Sequence, residues 1–227
     1  MKKSYKLQQT DAQRAMIKIS GINKFSMVNY PGKIACVLFA KGCPLKCKYC
    51  YNKVLLREPT IEEDYIKEFL EERKGLLDGV VFSGGEPMMQ YQELLETAKY
   101  VKSLGYKIGI HITGLNSDKP EFKEIIQLCD WIGLDFKAPE YKYKRVCGLD
   151  YKYFLDALNL ILEEGKDFEI RTTLDKLLTK EDLLEMEKVL LNKKIKKWFI
   201  QHRMLNEGEF AIPDFNLDNF NIQTEFR

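Results

Sequence analysis

The sequence predicts an α/β fold, a partial (β/α)6 TIM-like barrel, from three observations. Short apolar runs alternate with amphipathic helical stretches along the 227 residues, which is the pattern of a parallel sheet. From Ile34 onward the chain has room for about six strand–helix units of roughly 31 residues each. The apolar runs end in polar residues, as strands do at the active-site face of such barrels. A doubly wound open sheet is the alternative.

The predicted strands and helices follow this alternation. The apolar runs cover residues 34–40, 80–83, 107–111, 131–135, 168–172 and 198–202. Helical stretches are expected at about 61–74, 91–104, 120–129, 151–164 and 180–191. In the first of these, Ile61, Tyr65, Ile66, Phe69 and Leu70 share one face, which predicts packing on the sheet.

The remaining segments predict a single domain with two irregular ends. Residues 1–15 are polar and basic and predict a flexible leader, with 16–22 as the first ordered strand. Residues 16–227 form the domain, and the tail from about 204 is expected to be irregular. The 36 basic and 34 acidic residues nearly balance, which gives no reason to expect nucleic acid binding. No apolar run approaches the roughly 18 residues of a membrane span, and no signal peptide is visible, so a cytoplasmic location is expected.

A cysteine triplet follows the apolar run of residues 34–40. Cys43, Cys47 and Cys50 have the spacing Cys-x3-Cys-x2-Cys. Three thiolates on one loop can hold a 4Fe–4S cluster and leave one iron without a protein ligand, whereas most such electron carriers use four cysteines. Structural zinc is the alternative, although it normally takes a fourth ligand. Of the other cysteines, two are expected in the core and Cys147 is expected in a loop.

Polar residues stand at the other strand ends. Ser83-Gly84-Gly85-Glu86-Pro87 ends the second run; paired glycines let a backbone approach a ligand closely, and Glu86 can neutralise an ammonium or brace the loop. An ordinary βα turn is the alternative. Further candidates are His111, Thr113, Asn116, Asp135, Lys137, Arg171, Thr172, Thr173, Gln201, His202 and Arg203. Each of these candidates has a structural alternative. Asp135 and Lys137 can form a local ion pair, Arg171 can pair with a carboxylate in the core, and the histidines can be structural.

These motifs resemble those of a known family. The triplet with Tyr49 before its last cysteine resembles the signature of the radical S-adenosylmethionine (SAM) superfamily, and Gly84-Gly85-Glu86-Pro87 resembles its second motif. A closer resemblance, to activating proteins of anaerobic ribonucleoside-triphosphate reductase, covers about residues 17–203. It is carried by segments 21–26, 30–33, 75–81, 135–139 and 168–174 as well as by the two motifs.

The resemblance implies a partial barrel of the radical SAM type and two cofactors, a 4Fe–4S cluster and SAM. It implies that Cys43, Cys47 and Cys50 hold the cluster. The residues expected to bind SAM are Tyr49, Ser83, Gly84, Gly85, Glu86, Asp135, Lys137 and His202. In such activators a radical derived from SAM removes hydrogen from a glycine of a partner enzyme, so a glycyl-radical reductase is the expected partner. An electron donor such as flavodoxin or ferredoxin is expected as well.

The sequence also departs from the family at the third strand end. Related activators carry an Asp-Thr pair there that helps to bind a monovalent cation, whereas this chain has His111-Ile112. Two other functions remain open from the sequence. One is a radical SAM enzyme with a small-molecule substrate, similar to 7-carboxy-7-deazaguanine synthase. The other is a non-catalytic iron–sulfur or zinc module.

Overall fold

The computed structural model describes residues 15–50, 52–53, 56–206, 209–210 and 220–226. The strands are β1 (Ile19–Ser26), β2 (Ala35–Ala40), β3 (Gly79–Gly84), β4 (Lys107–Ile112), β5 (Trp131–Asp135), β6 (Asp167–Leu174), β7 (Lys197–His202), β8 (Met204–Asn206), β9 (Glu209–Phe210) and β10 (Gln223–Phe226). The helices are α1 (Glu63–Glu72), α2 (Tyr91–Ser103), α3 (Pro120–Leu128), α4 (Glu140–Cys147), α5 (Tyr151–Glu163) and α6 (Lys180–Asn192), with a 3-10 helix at Pro87–Gln90.

The main sheet is a partial barrel of the predicted kind. Strands β2 to β7 are parallel and lie side by side in chain order, which confirms the α/β fold with six parallel strands. At one edge β1 pairs antiparallel with β2, and at the other β10 pairs parallel with β7. Within the described residues β1 and β10 do not pair with each other, so the sheet stays open on that side.

The helices cover the sheet with apolar stripes at helical spacing. In α5, the buried side chains Phe154, Ala157, Leu158 and Ile161 recur every three or four residues, so they lie on one face. In α1, Ile66, Phe69 and Leu70 are buried as predicted. Tyr65 was expected on the same face but is 43 % exposed. It lies at the margin of the stripe, where the Lys24 ammonium approaches its ring.

The connection between β1 and β2 folds across the concave face of the sheet. Tyr30 is buried, and its ring stacks on that of Trp131 with centroids 5.7 Å apart. Gly79 and Gly109 make room for this ring, because a Cβ atom on either would lie only 3.1 or 3.2 Å from it. The connection therefore places the Tyr30 ring against β3, β4 and β5 near the N-terminal ends of these strands.

The structure adds a helix where the sequence predicted a loop. Helix α4 ends at Gly148, whose φ of 83° needs a residue without a side chain. Cys147, expected in a loop, is buried at the end of this helix. The helix was missed because it is short and rich in charged residues, with few apolar positions to set a period.

The tail is more ordered than expected where the structure describes it. Residues of β8 pair with β9, and β10 joins the main sheet. The backbone amides of Asn221 and Ile222 donate to the Glu187 side chain on α6, the second over 2.9 Å, and fix the entry into β10. The leader predicted for 1–15 lies outside the described residues except for residue 15. No helix in the described part of the chain is long and apolar enough to cross a bilayer.

Candidate active site

A cavity of about 320 Å³ lies at the C-terminal ends of the parallel strands. This is the face at which active sites of (β/α) barrels are built. All but one of the residues expected to hold the cluster or SAM line this cavity: Cys43, Cys47, Tyr49, Cys50, Ser83, Gly84, Gly85, Glu86, Asp135 and Lys137. His202 does not. Its neighbour Gln201 on β7 lines the cavity instead, because successive side chains of a strand point to opposite faces. Of the further candidates, His111, Thr113, Arg171, Thr173 and Gln201 line it, whereas Asn116, Thr172 and Arg203 do not.

The cysteine loop places three free thiols at the cavity wall. Cys43, Cys47 and Cys50 are all partly buried and form no disulfide. Burial raises the pKa of the Cys43 thiol to about 12, and the nearby Glu86 carboxyl adds to the effect. The loop is tied to the end of α4, since the Lys46 amide donates to the Cys147 carbonyl over 2.8 Å.

The Gly84-Gly85 turn packs directly against the cysteine loop. The Gly85 amide donates to the Ala40 carbonyl over 3.0 Å, and the Glu86 amide donates to the Gly42 carbonyl over 2.9 Å. A Cβ atom on Gly85 would lie 1.9 Å from the Gly42 oxygen, and one on Gly84 would lie 2.6 Å from the Ala40 nitrogen. The sequence interpretation assigned these glycines to close approach of a ligand. The close approach that the structure shows is between two backbone segments.

The Glu86 carboxylate braces this turn from within. It is 1 % exposed and accepts from the Met88 amide over 3.1 Å, from the Thr113 amide over 3.1 Å and from the Thr113 hydroxyl over 2.6 Å. Burial raises the pKa of Glu86 to about 7, against the opposing effect of these hydrogen bonds. The side chain therefore joins the Gly-Gly turn to the end of β4.

A buried ion cluster also lines the cavity. The Asp135 carboxylate accepts from Lys137 Nζ over 2.7 Å and from Arg171 Nε and Nη2 over 3.1 and 2.9 Å. Burial alone would raise the pKa of Asp135, but the two cations outweigh it and lower the pKa to about 2. The same carboxylate raises the pKa of Lys137 against the effect of burial. At neutral pH this cluster holds one negative and two positive charges.

His111 links the β1–β2 connection to the cavity wall. Its Nε2 lies 3.1 Å from the Asn29 carbonyl, and its Nδ1 lies 3.0 Å from the Ser83 hydroxyl. Because a carbonyl only accepts, Nε2 donates, and in the neutral ring Nδ1 accepts from Ser83. Asn29 and Ser83 both line the cavity, so the ring fixes two parts of its wall.

Tyr49 has a hydroxyl without a partner among the described residues. The side chain is 5 % exposed, lines the cavity and has Lys137 Nζ 5.8 Å from its ring centroid. Its hydroxyl is buried and makes no hydrogen bond to any described residue. Buried hydroxyls are normally satisfied, so this atom is a candidate partner for a polar group of a bound ligand.

Comparison with known proteins identifies the family. The chain matches the radical SAM superfamily over residues 37–190. The chain belongs to the radical SAM superfamily. This radical SAM chain is 33 % identical over 184 residues to a Methanocaldococcus jannaschii protein named provisionally as a glycyl-radical enzyme activating enzyme, with 76 % of this chain and 75 % of the relative covered. It is 30 % identical over 190 residues to the pyruvate formate-lyase-activating enzyme of Clostridium pasteurianum, with 78 % and 77 % covered.

Solved radical SAM structures share the fold. A domain of the pyruvate-formate lyase-activating enzyme from Bacteroides vulgatus superposes with a TM-score of 0.55 at 16 % identity, covering 66 % of this chain and 98 % of that domain. Streptococcus suis SuiB bound to S-adenosylmethionine gives a TM-score of 0.61 at 16 % identity over 82 % of this chain. This chain spans about half the length of SuiB, 48 %.

The cofactors of this radical SAM chain are a 4Fe–4S cluster and SAM, and the donor set fits them. Three thiols from one loop suit a cluster that keeps one iron for SAM. The buried hydroxyl of Tyr49, which has no partner among the described residues, is a further polar group at the cavity wall.

Sequence reasoning missed several residues that line the cavity of this radical SAM chain, among them Asn29, Phe39, Leu45 and Asn52. Asn29 reaches the wall from the β1–β2 connection, and no local pattern signals that a hairpin connection crosses the sheet. Arg171, Thr173 and Gln201 also line the cavity. The sequence indicated these three residues as candidates, because each stands near the end of a predicted strand.

Proposed function

We propose that this chain cleaves SAM reductively to generate a glycyl radical on a partner enzyme. The observation that carries the proposal is that the three cysteine thiols and the Gly-Gly-Glu turn line one cavity at the mouth of an open barrel. The names of the relatives with 33 % and 30 % identity support an activating role. The bound cofactors supply the radical chemistry, and the protein positions them and excludes water.

The geometry supports a role for each side of the cavity. Cys43, Cys47 and Cys50 would hold the cluster, leaving one iron for the amine and carboxylate of SAM. The Gly84–Glu86 turn lies against the cysteine loop, so its backbone would be in reach of the SAM amine. Tyr49 would offer its ring to the adenine and its hydroxyl to a polar atom of the cofactor. Asp135 and Lys137 line the same cavity and would contact the ribose or carboxylate.

The open side of the sheet favours a protein substrate. The edge strands β1 and β10 do not close the barrel in the described residues. A glycine in the middle of a folded partner can reach the cavity only if it lies on a loop, because the polypeptide continues on both sides of it. An opening along the side of the sheet admits such a loop, and we propose an anaerobic ribonucleotide reductase as its owner.

An electron must reach the cluster from outside. Lys46 and Lys48 are exposed on the cysteine loop itself, on either side of the proposed ligand Cys47. Positive side chains there would attract an acidic redox protein, which supports flavodoxin or ferredoxin as the donor.

The proposal is tested by electron paramagnetic resonance. The reconstituted, reduced enzyme is mixed with SAM and the anaerobic reductase, and a glycyl-radical signal is expected. The variant Cys47→Ala should lose iron and signal together, while Cys129→Ala, which removes a buried thiol at the end of α3, should keep about four irons per chain. Active cleavage of SAM with no signal on the reductase would contradict the proposed partner, and a chain that binds zinc but no iron would contradict the whole assignment.

A further inference from the structure

The cavity offers no free carboxylate to a metal cation. Of the described residues, only Glu86 and Asp135 bring a carboxyl group to its wall. Glu86 accepts from Met88 through one oxygen and from Thr113 through the other. Its oxygens therefore already have partners from the protein.

Asp135 is occupied in the same way, by two fixed cations. One oxygen accepts from Lys137 over 2.7 Å, and the other accepts from Arg171 Nη2 over 2.9 Å. Arg171 is 8 % exposed and crosses β5 to reach this carboxylate. It can do so because Gly133 has no side chain; a Cβ atom there would lie 2.8 Å from the guanidinium carbon.

The end of β4 is equally unsuited to an alkali ion. Ile112 is apolar and 1 % exposed. His111 uses Nε2 to bind the Asn29 carbonyl and Nδ1 to bind Ser83, and imidazole nitrogen is a poor ligand for a hard cation. The monovalent-cation site that the family resemblance implies therefore does not fit the residues present.

We propose that SAM binding to this chain needs no alkali ion, because Arg171 and Lys137 already hold the Asp135 carboxylate at the cavity wall. The guanidinium of Arg171 contacts one oxygen of that carboxylate and leaves the other to Lys137. The Nη1 group of Arg171 makes no hydrogen bond to any described residue, and the side chain lines the cavity. Asp135, Lys137 and Arg171 together carry one net positive charge, which suits the carboxylate of SAM. The binding of SAM is accordingly independent of alkali ions. This inference rests on the proposed placement of SAM in this cavity.

The first test needs no variant. SAM binding to the cluster-loaded enzyme is measured by calorimetry in sodium, potassium and tetramethylammonium chloride at one ionic strength. We expect dissociation constants that agree within about twofold, because no site for the small ions is left. A loss of about tenfold or more in tetramethylammonium, restored by potassium, would overturn the inference but leave the proposed function standing. Absence of SAM binding in every salt would overturn both.

The second test creates the ion site. In the cluster-free chain, Arg171→Gln releases one Asp135 oxygen, so we expect it to broaden the ²³Na resonance of added sodium, whereas the wild type does not. The double variant Arg171→Gln with Asp135→Asn should lose this broadening. In the loaded enzyme, Arg171→Gln should bind SAM more weakly in tetramethylammonium than in potassium.

The matched control removes another arginine–carboxylate pair. Arg203 Nη1 lies 2.6 Å from the Asp175 carboxylate, and neither residue lines the cavity. Arg203→Gln should give no sodium broadening and no salt-dependent SAM affinity. Sodium broadening by the wild-type chain that Asp135→Asn abolishes would show an ion already bound there and would overturn the inference.

Discussion

The carbonyl oxygen of Gly42 lies 1.9 Å from the position that a Cβ atom on Gly85 would occupy. The loop that carries the cysteines and the turn that ends β3 therefore meet backbone to backbone. The hydrogen bond from the Glu86 amide to the same Gly42 oxygen fixes their separation at 2.9 Å. Two motifs that are about 40 residues apart in the chain thus form one rigid wall of the cavity.

Gly85→Ala is expected to push the cysteine loop out of place. The added methyl group meets backbone that has little freedom to move, so the free energy of unfolding should fall by about 3 kcal/mol or more. Iron uptake on reconstitution should fall with it. The control Gly105→Ala introduces a side chain at a φ of 91° with open space around it, and should cost only about 1 to 2 kcal/mol while iron uptake stays normal. Equal iron content in the two variants would contradict the steric argument.

Tyr49→Phe is expected to separate stability from cofactor binding. The variant removes a buried hydroxyl that has no partner, so the cofactor-free chain should unfold at the same free energy or at one about 1 kcal/mol higher. The loaded enzyme should bind SAM more weakly, because the cofactor then lacks the hydroxyl as a polar partner. Tyr106→Phe provides the comparison, since its hydroxyl donates to the Leu70 carbonyl over 2.6 Å; it should lose about 1 kcal/mol of stability or more. Denaturant titration and calorimetry measure both quantities, and unchanged SAM affinity in Tyr49→Phe would refute the assigned contact.

Asp135→Asn is expected to destabilise the chain by about 3 to 5 kcal/mol, because it leaves two buried cations facing each other. Glu185→Gln breaks the exposed pair with Lys188 and should change stability by about 0.5 kcal/mol or less. The pKa of Asp135 falls from 3.8 to about 2 on folding. Its contribution is therefore complete above pH 3.8 and is lost as the pH falls toward 2. Urea denaturation between these pH values measures this contribution. If the free energies of unfolding of Asp135→Asn and of the wild type differed by the same amount at every pH, the cluster would not be stabilising.

The dependence of stability on pH that we expect from Glu86 has the opposite sign. Folding raises the pKa of its carboxyl from 4.5 to about 7, so between these values the folded chain binds more protons than the unfolded chain. Stability from this group therefore falls as the pH rises from 4.5 to 7 and is constant above. Glu86→Gln removes the titration. The difference in unfolding free energy between wild type and variant should shrink or reverse across this window, and a constant difference would show that the carboxyl keeps its ordinary pKa.

The sequence predicted the parallel strands and the polar face because both depend on local patterns. β5 has the predicted bounds, Trp131–Asp135, since a short run of buried residues between turns is a strong strand signal. Once the strands are ordered in the sheet, the position of the cysteine loop and of the Gly-Gly-Glu turn follows from the rule that parallel strands end at one face.

Contacts between distant segments could not be predicted in this way. Asp135 and Arg171 are 36 residues apart, and only the lateral pairing of β5 with β6 brings them together. Strand β10 is anchored by Glu187 on α6, a contact with no periodicity to reveal it. Asn29 reaches the cavity because the connection between β1 and β2 crosses the sheet. That path depends on the space left by Gly79 and Gly109.

The location of the three thiols on a single short loop also bears on the order in which the enzyme is assembled. Cys43 to Cys50 are close in the chain, so a nascent polypeptide could present all three to a cluster donor before its later strands exist. The proposed SAM pocket, by contrast, draws on residues as far along as Gln201 on β7 and is complete only when almost the whole sheet has formed. Cluster loading and SAM binding would then be successive steps of maturation, and an incompletely folded chain would carry iron without being able to start radical chemistry.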